Sequence, residues 1–562
     1  MRKIIVLAVL LLVVLTFFAL RREHAAIDPA AFLPADTLAY VDERDAARRG
    51  ERFLASPLGQ TVANLDMPGL MRDLDAPPDA QAAMQGMIND FKSFIDSHIT
   101  AELLSDHFVL AALPHRDWMG EAGALPGVRR QLLLLCKPRH GATAIDLLAS
   151  IYSGDLKTEV VPYGKYNLKR FVNAHISFAA CAVEGWLLVA FEERALREAL
   201  DTFDAGARSL AADAGFKNIV ANLPESEQLL FLRLDGLRAL ANASLHHLPA
   251  TDTTAITKQI DSAAGFGDFA YGSRLRGHVF QERMVISFDP DSVSPAARHI
   301  LNAPATVDAL LPHLRDNLLF YFYSGATDWS AFDETLAKNQ AVVEGFSGLK
   351  AEELKRLLGD GASRLFIRQG EGGQTLPLPL VNFCLTPPAP DQLGETVSTL
   401  LAKTGIEMTK GKFHDAAYQV WNKAPEKNLR LYSATWRGQW CLGNSLDFFK
   451  EIVQPADEAT SLIAAEGFKI VADGINRPAQ SLMYIRWDQA VGLLRDAAGW
   501  FATIVAVKDR DLSAKTKLIN ERLVFPLLEA TKMYQRSLSH GLVEGNLLKI
   551  DAQTSIAPPE VK

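Results

Sequence analysis

Carboxylates recur at comparable points of the chain and are the first candidates for chemistry. Each of four acidic residues follows a hydrophobic run that reads as a strand: Asp45, Asp235, Asp328 and Asp488. Paired carboxylates that face one cleft could perform acid–base hydrolysis. At a strand-to-helix junction, an Asp instead accepts hydrogen bonds from the free N–H groups of the first helical turn. Four copies at four similar junctions favour helix capping.

Signals for metal, nucleophile or phosphate chemistry are weak. His246 and His247 are adjacent, so their side chains point apart, and the sequence has neither HExxH nor Gly-x-Ser-x-Gly. The Lys410-Gly411-Lys412 segment lacks the glycine spacing of a phosphate loop and predicts a turn between strands. We therefore predict no catalytic, cofactor-binding or metal-binding residues and expect a protein that is not an enzyme.

The four cysteines suggest two alternatives. Cys136 and Cys384 occupy matching apolar strands, and Cys181 and Cys441 lie in the two-strand units that follow. An exported protein could pair Cys136 with Cys181 and Cys384 with Cys441. All four lie in apolar strands, where free thiols behave as small buried hydrophobic groups. We favour four free thiols and keep the two bridges as the alternative.

A long helical segment, roughly residues 489–536, is the candidate partner surface. It contains Trp500, Phe501 and Ile504 within an uncharged stretch. We find no counterpart of this helical pair in the first half of the chain, so the shared fold does not require it. We therefore interpret this segment as a partner surface or a lid, and simple cover of the sheet is the alternative.

An internal sequence repeat indicates which secondary-structure elements carry the candidate residues. Ser209–Asp235 begins S-L-A-A-D-A-G-F-K and ends R-L-D, and Ser461–Asp488 begins S-L-I-A-A-E-G-F-K and ends R-W-D. Short apolar or alternating runs predict strands, and longer amphipathic stretches predict helices. We predict an α+β fold with two related tandem lobes, 27–304 and 305–562. Each lobe is a mainly antiparallel sheet with helices packed on one face.

The N-terminus predicts a membrane segment. Ile4–Leu20 is an uncharged apolar run between Arg2-Lys3 and Arg21-Arg22. Because no small-residue cleavage site follows it, residues 1–26 are predicted to be an uncleaved signal anchor, and a cleaved signal peptide is the alternative. Positive-inside reasoning puts the N-terminus in the cytoplasm and the bulk of the chain in the periplasm.

Charge narrows the range of partners. Without the four basic residues before Glu23, the net charge of the chain falls from −8 to about −12. Such an acidic surface disfavours nucleic acid as a partner. The membrane, reached through the N-terminal helix, remains the first partner that the sequence predicts.

Two short segments carry a resemblance to known families. Phe32–Val41, F-L-P-A-D-T-L-A-Y-V, resembles the strand opening of a bacterial exported family of unknown function, whose members have an N-terminal membrane segment and repeated α+β units. The segment Q-L-L-L-L-C-K-P-R-H-G-A-T-A-I-D-L-L-A-S is similar to parts of periplasmic proteins encoded beside bacterial macroglobulins. The resemblance implies a membrane-anchored periplasmic protein and assigns no functional residues.

Together these observations predict a non-catalytic, membrane-anchored envelope protein that acts as an interaction scaffold or binding module. Its predicted partner is another envelope protein. One alternative is a periplasmic carrier of a small apolar ligand held between sheet and helices. Another is a hydrolase whose active site is dispersed over several loops.

Overall fold

The computed structural model describes residues 27–96, 107–114, 131–138, 157–172, 177–245, 257, 260–329, 340, 344–345, 348–370, 378–403, 407–421, 430–473, 478–508 and 510–557. Contacts divide the chain into two units. Unit 1 takes its described residues from Met1–Tyr40 and Glu102–Asn218, and unit 2 from Val41–Ala101 and Ile219–Lys562. The α+β class and the antiparallel sheet are confirmed, while the lobe boundary at 304/305 stays a prediction. The prediction that helices pack on one face only is wrong for unit 2, whose sheet has helices on both faces.

The strands in chain order are β1 Ala39–Arg44, β2 His107–Ala112, β3 Leu132–Lys137, β4 Lys157–Tyr163, β5 Tyr166–Val172, β6 Ser177–Val183, β7 Trp186–Ala190, β8 Gln228–Arg233, β9 Phe266–Arg276, β10 Val279–Phe288, β11 Leu318–Ser324, β12 Ser363–Arg368, β13 Leu380–Leu385, β14 Met408–Phe413, β15 Ala416–Trp421, β16 Tyr432–Trp436, β17 Gln439–Gly443, β18 Ser481–Arg486, β19 Tyr534–Glu544 and β20 Leu547–Ile556.

The helices are α1 Ala46–Ala55, α2 Pro57–Ala63, α3 Met67–Asp73, α4 Pro78–Asp96, α5 Glu193–Ala205, α6 Ala214–Val220, α7 Leu234–Leu245, α8 Pro295–Leu301, α9 Ala351–Leu358, α10 Pro390–Ala402, α11 Leu446–Val453, α12 Glu466–Ala472, α13 Trp487–Lys508, α14 Arg510–Ile519 and α15 Phe525–Ala530. Within the described residues, none of them has the length and apolar composition needed to cross a membrane. The predicted anchor, residues 1–26, lies outside the described residues.

Unit 1 contains an antiparallel sheet in the order β2-β3-β7-β6-β5-β4. Apolar β3 and β7 pair directly, with Cys136 opposite Leu187. Helix α5 packs on β3, β6 and β7 through a stripe of buried residues that includes Leu196 and Leu200. The stripe recurs every three or four residues, which is why this segment forms a helix against the sheet.

Unit 2 contains an antiparallel sheet in the order β8-β9-β10-β20-β19-β18-β11-β12-β13-β17-β16-β15-β14. Tight hairpins set much of its register. Arg276 pairs with Val279 across Gly277-His278, and Gly277 has a φ of +61°. A two-residue hairpin turn of this kind needs positive φ, which glycine adopts without strain.

The order of strand pairing is the same on the two sides of the chain. The run β2-β3-β7-β6-β5-β4 recurs as β12-β13-β17-β16-β15-β14, and β8-β9-β10 recurs as β18-β19-β20. The bridge from Pro34 to Ser209 has its counterpart in the bridge from Arg315 to Ser461. Pro34 therefore corresponds to Arg315, three residues beyond the Pro312 that a proline-based alignment would select.

The first face of the unit 2 sheet holds the main core. Along β11, Tyr321 and Tyr323 point to this face and are buried, whereas Phe320 and Phe322 point to the other. Helices α11 and α12 cover the first face: Phe449 contacts the Tyr432 ring at 5.0 Å, and Phe468 contacts the Tyr484 ring at 5.5 Å. We call the opposite side, which carries Phe320 and Phe322, the second face.

Two sequence interpretations need correction at glycine and at the capping acids. Gly411 lies inside β14 rather than in a turn, and the Tyr418 ring occupies the space that a Cβ at position 411 would need. Asp45 precedes α1 but makes no side-chain capping hydrogen bond; it lies 3.8 Å from Arg48 instead. Arg233 pairs with Asp268 at 3.5 Å, because β9 brings Asp268 directly opposite it.

The cysteines divide differently from either alternative. Cys384 on β13 and Cys441 on β17 are directly opposite each other and form a disulfide, so the prediction of four free thiols is wrong. Cys136 and Cys181 are free and buried, so the alternative of two bridges is confirmed for Cys384–Cys441 and wrong for Cys136–Cys181. Strand β7 lies between Cys136 on β3 and Cys181 on β6. The two strand spacings add up to about 10 Å, which exceeds the reach of a disulfide. Burial raises the pKa of the Cys136 thiol to about 12 and that of Cys181 to about 11.

A buried ion pair fixes the segment before β11 to the first face. Nε and Nη2 of Arg364 donate to Oδ1 of Asp308 at 3.0 and 2.8 Å. The hydroxyl of Tyr321 donates to the other carboxylate oxygen, Oδ2. The side chains of Asp308 and Arg364 are 1% and 9% exposed. Removing either residue would leave the other as a buried charge without a partner, which is strongly destabilising.

We predict that the Cys384–Cys441 bridge stabilises unit 2. The bridged cysteines are 57 residues apart in sequence, and closing a loop of that length is worth about 4 kcal/mol in the chain-entropy account. Cys384→Ala should therefore lower the free energy of unfolding by roughly that amount more than Cys136→Ala, which removes a buried thiol but no bridge. Urea titrations of both variants measure the difference. Equal losses, or alkylation of Cys384 in the unreduced protein, would contradict the bridge.

We predict that Asp308→Ala destabilises the protein by about 3–5 kcal/mol, because it leaves the buried Arg364 guanidinium unpaired. Asp447→Ala is the matched control. It removes an 89% exposed partner of Lys450 and should cost less than about 1 kcal/mol. Thermal and urea unfolding compare the two. Near-equal unfolding midpoints for the two variants would show that the buried pair stabilises the protein no more than the exposed pair does.

Candidate functional site

The second face of the unit 2 sheet is apolar and only partly covered. Phe320 lies opposite Ile485, and Phe322 lies opposite Met483. The half-buried apolar residues of this face include Leu230, Leu232, Phe269, Met284, Ile286, Phe320, Phe322, Leu365, Ile367, Met483, Ile485 and Ile550. Antiparallel sheets that turn one face to water place polar residues there. This face therefore has the composition of a contact surface rather than of a solvated one.

Helices cover parts of this face. At the β13–β17 end, α9 and α10 close a small core in which Leu393 packs with Leu385 and Trp440. In the middle, α13 contacts β11, β18 and β19, and Nε1 of Trp487 donates to Oγ of Ser537 at 2.7 Å. Ser537 lies opposite Ile485, so this hydrogen bond places the start of α13 over the second face.

A line of hydrogen-bonding groups crosses the same face at β8, β9 and β10. Gln228, Ser273 and Glu282 lie opposite one another in register. Ser273 donates to Gln228 at 3.2 Å, and Arg49 of α1 donates to the same Gln228 oxygen at 3.3 Å. Arg49 also lies 3.0 Å from Glu43. We call these residues, with Tyr271 and Tyr534, the polar strip.

Glu282 is the central acceptor of the polar strip. The Tyr271 hydroxyl donates to Oε1 of Glu282 at 2.5 Å. Burial, and then this hydrogen bond, raise the pKa of Tyr271 to about 12. Burial and the neighbouring Glu282 carboxylate also raise the pKa of Tyr534. Both phenols therefore stay protonated at neutral pH, so that Tyr271 can act as a donor to Glu282.

Most of the predicted partner surface can be examined. Trp500 and Phe501 lie on α13 and are 39% and 59% exposed; the side chain of Ile504 lies outside the described residues. The idea that only the second half has a helix at this place is wrong. Helix α7 follows β8 just as α13 follows β18, and the described residues 260–262 before β9 are helical too. The connection that begins with α13 and runs through α14 and α15 to β19 is the longer of the two.

The predicted site residues are not gathered in one place. Cys384 and Cys441 lie in the first-face core, Cys136 and Cys181 lie in unit 1, and Trp500 and Phe501 are exposed on α13. Among the described residues, no three His, Cys, Asp or Glu side chains come together as a metal site. His246 and His247 lie outside that part of the chain.

Glu282 and its neighbours were missed because their spacing in sequence carries no motif. The apolar second face did leave a signal. Runs such as L-L-F-Y-F-Y and L-M-Y-I are apolar at every position, which indicates strands buried on both faces rather than on one.

Comparisons with known proteins add little to this geometry. No family model matches the chain. No curated protein matches it. Crystal forms III and I of TP0453 are similar solved structures, at 10% and 11% identity, with TM-scores of 0.25 and 0.24. They cover 51% of this chain and 91% and 90% of their own. A likeness this weak carries no functional argument.

Proposed function

We propose that this protein is a non-catalytic binding protein of a bacterial cell envelope that carries an apolar ligand on the second face of its unit 2 sheet. The supporting observation is that face itself: it carries half-buried apolar side chains from many strands, and α13 makes its main strand contacts with β11, β18 and β19. Ligand sites are mostly apolar surfaces with a few polar groups that orient the ligand. The polar strip supplies such groups.

The setting of this binding protein is also part of the proposal. Residues 1–26 anchor it in the inner membrane, with the N-terminus in the cytoplasm and the bulk in the periplasm; a cleaved signal peptide is the alternative. The lobes 27–304 and 305–562 are copies of one unit, which the repeated order of strand pairing supports. The resemblance to exported bacterial proteins of unknown function fits this setting.

We expect the full-length chain in nanodiscs to be labelled on its second face by a neutral long-chain alkyl diazirine. Labelled peptides should come from β10, β11 and β18. Met284→Lys should lower this labelling at least about tenfold, because an unpaired charge facing an apolar ligand costs several kcal/mol and about 1.4 kcal/mol is a factor of ten.

Val160→Lys is the matched control, since Val160 lies on strand β4 of unit 1 and is 60% exposed. It should leave the labelling of unit 2 unchanged. Peptide mapping by mass spectrometry measures both variants. If second-face peptides are labelled equally in the wild type and in Met284→Lys, the carrier proposal is wrong.

A second candidate function is binding of another envelope protein through α13. The exposure of Trp500 and Phe501 supports it, because aromatic side chains are enriched at the centres of protein interfaces. The solvent-exposed side chains of Trp500 and Phe501 provide apolar surface area that a bound partner would bury. This candidate is compatible with the carrier, since the two use different surfaces.

We predict that a photoreactive phenylalanine analogue at position 501 crosslinks a discrete envelope protein in intact cells. The same analogue at position 160 should give no such product. Trp500→Ala, read with the probe at 501, should weaken the product several-fold because it removes the neighbouring aromatic anchor. Identical products at 501 and 160 would mean that collision, not an interface, produces them.

A further inference from the structure

The polar strip contains a hydrogen-bond acceptor that the protein does not use. Oε1 of Glu282 accepts from Tyr271, but within the described residues Oε2 has neither a hydrogen bond nor an ion pair. The Tyr534 hydroxyl, near the same carboxylate, likewise has no hydrogen-bond partner there. Glu282 is half-buried and lies opposite Ser273 and Ala552, with the apolar Met284 two residues along the same strand and face.

The charges around Glu282 leave a negative excess. Arg49 is matched by Glu43 at 3.0 Å, and Arg52 is matched by Glu227 at 3.4 Å. Arg283, the next residue along β10, points to the opposite face and is held by Asp551. In this region of the second face, Glu282 is thus a carboxylate whose neighbouring cations are already paired.

A half-buried carboxylate in an apolar surface favours a ligand group that brings both positive charge and N–H donors. Such charge-assisted hydrogen bonds are shorter and about twice as strong as neutral ones. A ligand carboxylate or phosphate placed there would meet a like charge and only cations that already pair with carboxylates, although the buried Nη1 of Arg49 makes no hydrogen bond. Hydrogen bonding and charge therefore select the same polar group.

On the basis of the proposed carrier function, we propose that the ligand is a long-chain amphiphile with a cationic amine at its polar end. The ammonium group contacts Oε2 of Glu282 beside Tyr271 and Tyr534. The chain lies along the second face toward Met284 and Ile286, on the strand that carries Glu282. This places the polar end of the ligand at the β8–β10 region of unit 2.

The test uses the full-length protein in nanodiscs and three photoreactive probes of one chain length: an alkylamine, an alkanol and an alkyl carboxylate. In the wild-type protein the amine should label β9 and β10 peptides at least about tenfold more than the carboxylate. Glu282→Gln keeps the shape and removes the charge, and should bring the ratio close to one. Glu544→Gln is the control, because Glu544 is an exposed acid beside a hairpin turn of the same sheet. It should leave the ratio unchanged.

The outcomes separate this inference from the proposed function. Equal labelling by all three probes, or a preference for amine that persists in Glu282→Gln, overturns the assignment of the polar end and leaves the carrier function standing. No labelling of second-face peptides by any probe overturns the carrier function and the inference with it. Circular dichroism that matches the wild type shows that each variant is folded.

Discussion

The structure depends on one constraint: an antiparallel sheet that is apolar on both faces. Each residue of such a strand points to one face only, and a slip of one residue would exchange the two faces. Along β11 the tyrosines enter the closed core while the phenylalanines face the helices α13 and its neighbours. The pairing register therefore decides which apolar residues are buried in the core and which are only half-buried on the second face. That difference separates the core of unit 2 from its candidate ligand surface.

The first face is reinforced where its polar groups are buried. In one cross-strand row, Tyr323 lies opposite Arg364, and Arg364 lies opposite Cys384, which is bridged to Cys441. Asp308 neutralises the guanidinium from outside the sheet. A charge in a dry core is tolerated only because its partner is held in place, and neighbouring strands joined covalently hold that register. The buried ion pair and the disulfide thus make the first face the rigid side of the sheet.

The second face differs in kind. Its helices belong to connections between strands: α9 precedes β12, α10 follows β13, and α13 follows β18. The connection after β18 is longer than the one after β8. A carrier needs a surface that can exchange its occupant, and surface connections vary more readily than the strands beneath them. In the proposed function, the sheet supplies apolar area and one carboxylate, while α13 supplies cover and exposed aromatics. These roles rest on separate residues, so variants of one leave the other intact.

Periodicity and turn residues are local properties. They were therefore enough to predict the α+β class, the antiparallel hairpins, the internal repeat and the strands that are apolar at every position. Tertiary structure alone decided which cysteines pair, since Cys441 lies beside Cys384 while β7 separates Cys181 from Cys136. It also decided that Glu282 meets Tyr271 across β9 and β10 and that Arg49 approaches from α1. Contacts of this kind depend on the order in which distant strands pair, and no local pattern encodes that order.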